Sequence, residues 1–223
     1  MRILSIPAMV LGVAIAILFF KVYGIVTRPE VPRPVAFVIG QFAPGVEIGA
    51  KVADARHAVA GMTYVRHLGY VGMPAPHVAN LPNGSTAAFA QVRLLLDERT
   101  RMQAKPDPAK ARIEAVETVT NEGAAPAELT SAFSTMFRRP PRDGCERMSE
   151  EGRLREVHVW TTPNERGGLA LVTDFDPTRA TAPPGTVGMR MTSVIAFTGK
   201  FDGGRTLRAN YTDATCAQLS ESQ

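Results

Sequence analysis

Ile3 to Phe20, ILSIPAMVLGVAIAILFF, is an 18-residue run without a charge, and it constrains the chain more than any other stretch. At about 1.5 Å per residue a helix of this length spans about 27 Å, near the hydrocarbon thickness of a bilayer. Pro7 falls near the start, where the first turn lacks intrahelical donors in any case. Lys21 can snorkel, so that Val22 to Val26 continue the helix into the interface. The run therefore predicts a transmembrane anchor over residues 1–26, a signal-anchor in a single-pass membrane protein. The competing reading is a cleaved signal peptide, whose apolar core is usually about 7–15 residues and is followed by an A-x-A site that this chain lacks. Residues 1–34 hold no cysteine, which excludes a lipoprotein anchor. Ala8, Gly12 and Ala16 recur every four residues and form a helix-packing stripe, although an alanine-rich chain also produces this spacing by accident. Basic residues lie on both sides of the run, so charge alone does not fix its orientation. The short amino-terminal tail favours export of the rest of the chain, which places the protein in the inner (plasma) membrane with a periplasmic or extracytoplasmic domain.

Thr27 to Pro34, TRPEVPRP, carries three prolines in eight positions and reads as a stiff tether over residues 27–34. The folded domain is expected over residues 35–216, with a C-terminal tail at 217–223. Hydrophobic residues make up 45% of the chain and charged residues 21%, fractions that suit a packed core rather than disorder. The net charge is +4, and residues 1–34 account for +3 of it. The remainder is nearly neutral and offers no electrostatic footprint for a phosphate backbone, so nucleic acid is not an expected partner.

Within the domain, Val35 to Phe42 reads as an apolar strand or buried segment and Lys51 to Ala60 as a short amphipathic helix. Met62 to Val71 reads as one strand and Met73 to Ser85 as a loop. Ala87 to Leu96 and Ala111 to Thr120 are strand candidates. Pro126 to Arg138 is a helix with Leu129, Phe133, Met136 and Phe137 on one face, and Arg139 to Gly152 is a charged loop. Leu154 to Thr162, Leu169 to Phe175 and Val187 to Phe201 read as strands. A helix followed by strands occurs twice. The expected fold class is α+β, an N-terminal transmembrane helix followed by helices packed on an antiparallel sheet, with two degenerate helix–strand repeats as an open option.

Pro44 to Arg56, PGVEIGAKVADAR, resembles the helix-entry pattern of periplasmic α+β domains of the SmpA/OmlA and β-lactamase-inhibitor-protein type, many of them bacterial lipoproteins. The likeness rests on Gly49 and the order Val52, Ala53, Asp54, Ala55. Those families usually carry Gly-Met-Thr where this chain has Gly49, Ala50 and Lys51. The resemblance implies a binding scaffold without enzymatic activity.

Cys145 and Cys216 are the only cysteines. In an exported domain they are a disulfide candidate, and their separation matches no zinc or redox spacing. His57, His67 and His77 fall ten residues apart, a spacing that does not bring ligands together on one helix or strand. No metal or cofactor is expected. Arg138, Arg139, Arg142 and Arg147 could contact an anionic group or an acidic partner, yet interspersed carboxylates mostly neutralise them. Asp174 and Asp176 share a strand face, as calcium ligands or an acid pair would. No hydrolase, metalloprotease, nucleotide or dithiol motif occurs.

These observations point to a non-enzymatic accessory or structural subunit. The expected partners are a larger membrane protein complex, met by the anchor and the exported domain in protein–protein interaction, and the lipid bilayer. The alternative is a module that binds a ligand, lipid or cell-wall fragment. An apolar cavity with a few polar groups would favour the module, and an apolar surface patch would favour docking. A hydrolase using His57 or His158 would require either histidine to sit beside a carboxylate in a pocket.

Overall fold

The computed structural model describes residues 30–66, 68–74, 78–120, 122–123, 126–147, 153–174, 192–206 and 210–221. The first element is a helix, α1 (Arg33–Phe42), in place of the expected strand. The reason is legible in its spacing. Val35, Val38, Ile39 and Phe42 stand at i, i+3, i+4 and i+7, and all four are buried, as one face of a helix requires. Pro34 occupies the first turn, where its missing N–H costs nothing. Val52–His57 is a 3-10 helix in place of the longer helix expected over Lys51 to Ala60.

The strands are β1 (Val59–Val65), β2 (Gly69–Pro74), β3 (Val78–Asn80), β4 (Thr86–Ala88), β5 (Gln91–Leu96), β6 (Ile113–Thr120), β7 (Glu122–Gly123), β8 (Arg142–Arg147), β9 (Leu154–Thr161), β10 (Gly167–Asp174), β11 (Thr192–Thr198) and β12 (Asn210–Thr212). The remaining helices are α2 (Glu98–Arg101), α3 (Pro126–Phe137), α4 (Gly203–Thr206) and α5 (Cys216–Glu221). Nine strands join in one sheet in the order β1-β2-β5-β6-β11-β10-β9-β8-β12, and β3-β4-β7 form a small second sheet. Every pairing is antiparallel. One meander runs β1-β2-β5-β6 and another β8-β9-β10-β11. They meet where β6 pairs β11, from Thr120↔Thr192 to Ala115↔Phe197.

The fold is thus dominated by one large antiparallel sheet, which corrects the expected α+β domain behind a transmembrane helix. Among the described residues no helix is long and apolar enough to cross a membrane. The twelve residues of α3 reach about 18 Å, against about 30 Å of hydrocarbon. The membrane, single-pass and signal-anchor readings therefore find no support in the described helices. Residues 1–29, which hold Ile3 to Phe20 and the Ala8, Gly12 and Ala16 stripe, lie outside the described residues. Two further corrections enlarge the sheet. Met62 to Val71 is a hairpin rather than one strand, turning at Leu68, whose N–H bonds the Val65 carbonyl. The charged stretch after α3 contains β8 rather than a loop.

One sheet face buries Leu94, Leu96, Val116, Trp160, Leu169, Leu171 and Ala196 against α1 and α3. Trp160 meets the Phe133 ring edge-on at 5.4 Å between centroids, and its indole N–H donates to Ser134 Oγ at 3.2 Å. The opposite face carries Leu95, Ala115, Val157, Val159, Ala170, Val172, Ile195 and Phe197, with Phe201 and Tyr211 packed against them.

Candidate docking surface

In the β1–β2 hairpin, strand alternation divides the side chains between the two faces. Met62, Tyr64 and Tyr70 turn toward the core. Val65, Val71 and Met73 face the other way, since Val71 pairs Thr63 and Met73 pairs Ala60. Met73 is 65% exposed and Val65 and Leu68 nearly 40%. The Tyr64 hydroxyl donates to the carbonyls of Arg101 and Gln103 at 2.6 and 3.1 Å. That places Met102, 59% exposed, beside the same hairpin. Val65, Leu68 and Met73, three of the six large apolar side chains exposed among the described residues, therefore lie on this edge hairpin; Met102 lies beyond Tyr64 on the core-facing side, and Phe37 on α1 and Val78 on β3 are the remaining two. β1 is also an edge strand, paired only with β2. A bulge between Ala60 and Thr63 interrupts its register, and Gly61 within it takes φ +63°, which only glycine adopts without strain.

Arg66 and Lys105 are exposed and Arg56 precedes β1. Arg56, Arg66, Arg101 and Lys105 make no ion pair among the described residues. Asp107, the nearby carboxylate, is occupied by Lys110 at 3.8 Å and by the Ala109 N–H at 2.9 Å.

Two ion pairs lie on the face opposite α1 and α3. Arg93 Nη1 meets Glu117 Oε1 at 3.2 Å across β5 and β6. Arg155 Nη2 meets Glu146 Oε2 at 2.5 Å across β8 and β9. Glu146 is fully buried, and its Oε1 and the Arg155 Nε have no hydrogen-bond partner among the described residues. Burial raises the Glu146 carboxyl above the usual range, against the lowering effect of Arg155, and the Glu117 charge adds to the rise.

Cys145 and Cys216 are joined by a disulfide with Cα atoms 5.0 Å apart, which holds α5 against β8. β12 lies along the same strand. Its Tyr211 fills the space that a side chain at Gly144 or Gly203 would need and meets Phe201 edge-on at 5.2 Å. Burial, with the neighbouring Asp213 carboxylate, pushes the Tyr211 phenol up to about 12.

The arginines singled out in the sequence are spread over two elements. Arg142 and Arg147 begin and end β8, about 17 Å apart, and Arg138 and Arg139 follow α3. Arg142 lies 3.5 Å from Asp213 and over the Phe201 ring at 5.6 Å. His158 Nδ1 stands 2.6 Å from Asp143 Oδ1, a contact hidden from the sequence because it depends on β8 pairing β9. This histidine beside a carboxylate lines neither described cleft. His57 is exposed on the 3-10 helix, and the Asp54 carboxylate one turn before it instead accepts the Lys51 N–H at 3.3 Å. His67, His77 and Asp176 lie outside the described residues. Among the described residues no three potential ligands converge to hold a metal.

Two clefts among the described residues open around Lys200, just after β11. One, of about 250 Å³, has Leu95, Ala115 and Phe197 on its floor and Glu114, Lys200 and Asp202 at its rim. The other, of about 300 Å³, lies between Arg142, Thr161, Glu165 and Phe201. Both fall at or below the lower end of the roughly 300–1,000 Å³ of small-molecule sites. No family model, no characterised protein and no solved structure matches this chain.

Proposed function

We propose that this chain is a non-catalytic docking subunit that binds a larger protein assembly through the β1–β2 hairpin. The observation that carries the reading is the exposure of Val65, Leu68 and Met73 on the hairpin that forms one edge of the sheet. An edge strand that exposes apolar side chains is a template on which another protein segment can pair. The small size of the two clefts among the described residues favours docking over the ligand-binding alternative. The buried disulfide supports an extracytoplasmic location, since reducing compartments keep thiols free.

The test is photo-crosslinking in the cells that make the protein. p-Benzoylphenylalanine replaces Met73 in one variant and the exposed Glu165, on the far β9–β10 turn, in another. A discrete protein adduct from position 73 and none from position 165 is expected. Absence of any adduct from position 73 would remove the docking reading.

A further inference from the structure

We infer that Asn83 is a self-modifying site, at which spontaneous deamidation releases the β3–β4 turn from α3. Leu81 to Ser85 connect β3 to β4. Two main-chain hydrogen bonds close the turn, Gly84 N–H to the Leu81 carbonyl and Leu81 N–H to the Ser85 carbonyl, both at 2.9 Å. Asn83 and Gly84 are exposed. Gly84 takes φ +83°, which suits glycine, and nothing lies within 4 Å of where a side chain would be. The Asn83 side chain ties this turn to the helix. Its amide donates to the Glu128 carbonyl, in the first turn of α3, at 3.0 Å. Its Oδ1 accepts the Ser85 hydroxyl at 2.7 Å and the Ser85 N–H at 3.3 Å.

The chemistry needs only these groups and water. The Gly84 nitrogen attacks the Asn83 Cγ. Its bond to Cγ forms, the Cγ–Nδ2 bond breaks, and Nδ2 leaves as ammonia with the Gly84 amide proton. Without a side chain Gly84 leaves its nitrogen unhindered, and the Ser85 hydroxyl draws electron density from Cγ through Oδ1. The bond from Gly84 N–H to Leu81 restrains the nucleophile, and local opening of an exposed turn frees it. Water then opens the succinimide at one carbonyl or the other, giving aspartate or isoaspartate. Asn80, Asn121, Asn164 and Asn210 precede Leu, Glu, Glu and Tyr, whose side chains hinder the same attack. Either product removes the Nδ2 donor and sets a carboxylate oxygen against the Glu128 carbonyl, acceptor against acceptor. Isoaspartate also adds a methylene to the main chain, so the bond from Gly84 to Leu81 no longer closes the same ring.

The experiment ages the full chain in mildly alkaline buffer and follows each asparagine by peptide mapping with mass spectrometry. Isoaspartyl methylation marks the second product, and retention of the Cys145–Cys216 disulfide on non-reducing gels reports folding of each variant. Conversion at Asn83 should run at least tenfold faster than at Asn80, Asn164 or Asn210. Ser85→Ala should slow it severalfold, and Asn83→Gln should abolish it over the same period. In the converted fraction the Leu81 and Gly84 amides should exchange with deuterium at least tenfold faster. Conversion of Asn83 no faster than that of the other asparagines would overturn the inference, the bond to Leu81 then being what protects it. Conversion with unchanged exchange at Leu81 and Gly84 would overturn the release of the turn. An unaltered rate in Ser85→Ala would remove the part assigned to the Ser85 hydroxyl.

Discussion

Glu146 combines zero exposure with an ion pair to Arg155, and its energetics derive from that. Removing one member of a buried pair strands the other charge, at a cost of about 3–5 kcal/mol, whereas replacing both by apolar residues of similar volume is often neutral or better. Glu146→Leu should therefore destabilise by about 3–5 kcal/mol, and Glu146→Leu with Arg155→Met should restore most of it, read by urea denaturation. An equal loss in the double variant would mean that the pair stabilises the fold outright. The pH dependence has a definite sign. An unfolded glutamate titrates near about 4.3, and burial lifts the folded carboxyl above this. Its contribution is fully present below about pH 4.3 and is lost as pH rises through the raised folded value. The stability of the parent relative to Glu146→Gln should therefore be greater at pH 4 than at pH 7. The opposite trend would mean that Arg155 outweighs burial. None of this is legible in the sequence, where Glu146 stands in a run of charges. Only the register Glu146↔Arg155 identifies its partner.

At the scale of elements, legibility tracks how far each segment's pattern depends on its own residues. The helix expected over Pro126 to Arg138 appears as α3, and the strands expected after it appear as β9, β10 and β11 within a few residues. Their periods of 3.6 and 2 are strong. Val35 to Phe42 misleads because a short, mostly apolar run satisfies either period at a glance, and only the i, i+3, i+4, i+7 count separates them. β8 is hidden because its Arg, Asp and Glu side chains resemble loop composition, while β12, α5 and the disulfide that bury it lie more than sixty residues away. The disulfide closes a separation of 71 residues, which corresponds to about 4 kcal/mol in the chain-entropy account. Cys145→Ala with Cys216→Ala should lower stability by up to that amount. Faster hydrogen exchange should appear first in β12 and α5. Unchanged protection there would mean that Tyr211 packing alone holds the strap.

At the scale of the molecule, the candidate surface is the least legible feature. In the sequence Val65 and Leu68 look like parts of one strand and Met73 like the start of a loop. What brings them to the sheet edge is the hairpin turn and the place of β1 as the outermost strand. The centre of the sheet has another consequence. β6 and β11 pair across a sequence gap of about seventy residues, so a ribosome delivers the inner edge of the first meander long before the strand that covers it. Throughout that interval Ala115 to Thr120 is an unsatisfied apolar edge, the kind of template that recruits other chains. A chain stopped before Thr192 should accumulate in the insoluble fraction, and supplying the second meander as a separate fragment should recover it. Full solubility of the stopped chain would mean that another segment shields β6 during synthesis. The seam that unites the molecule is, for a nascent chain, its main exposure to aggregation.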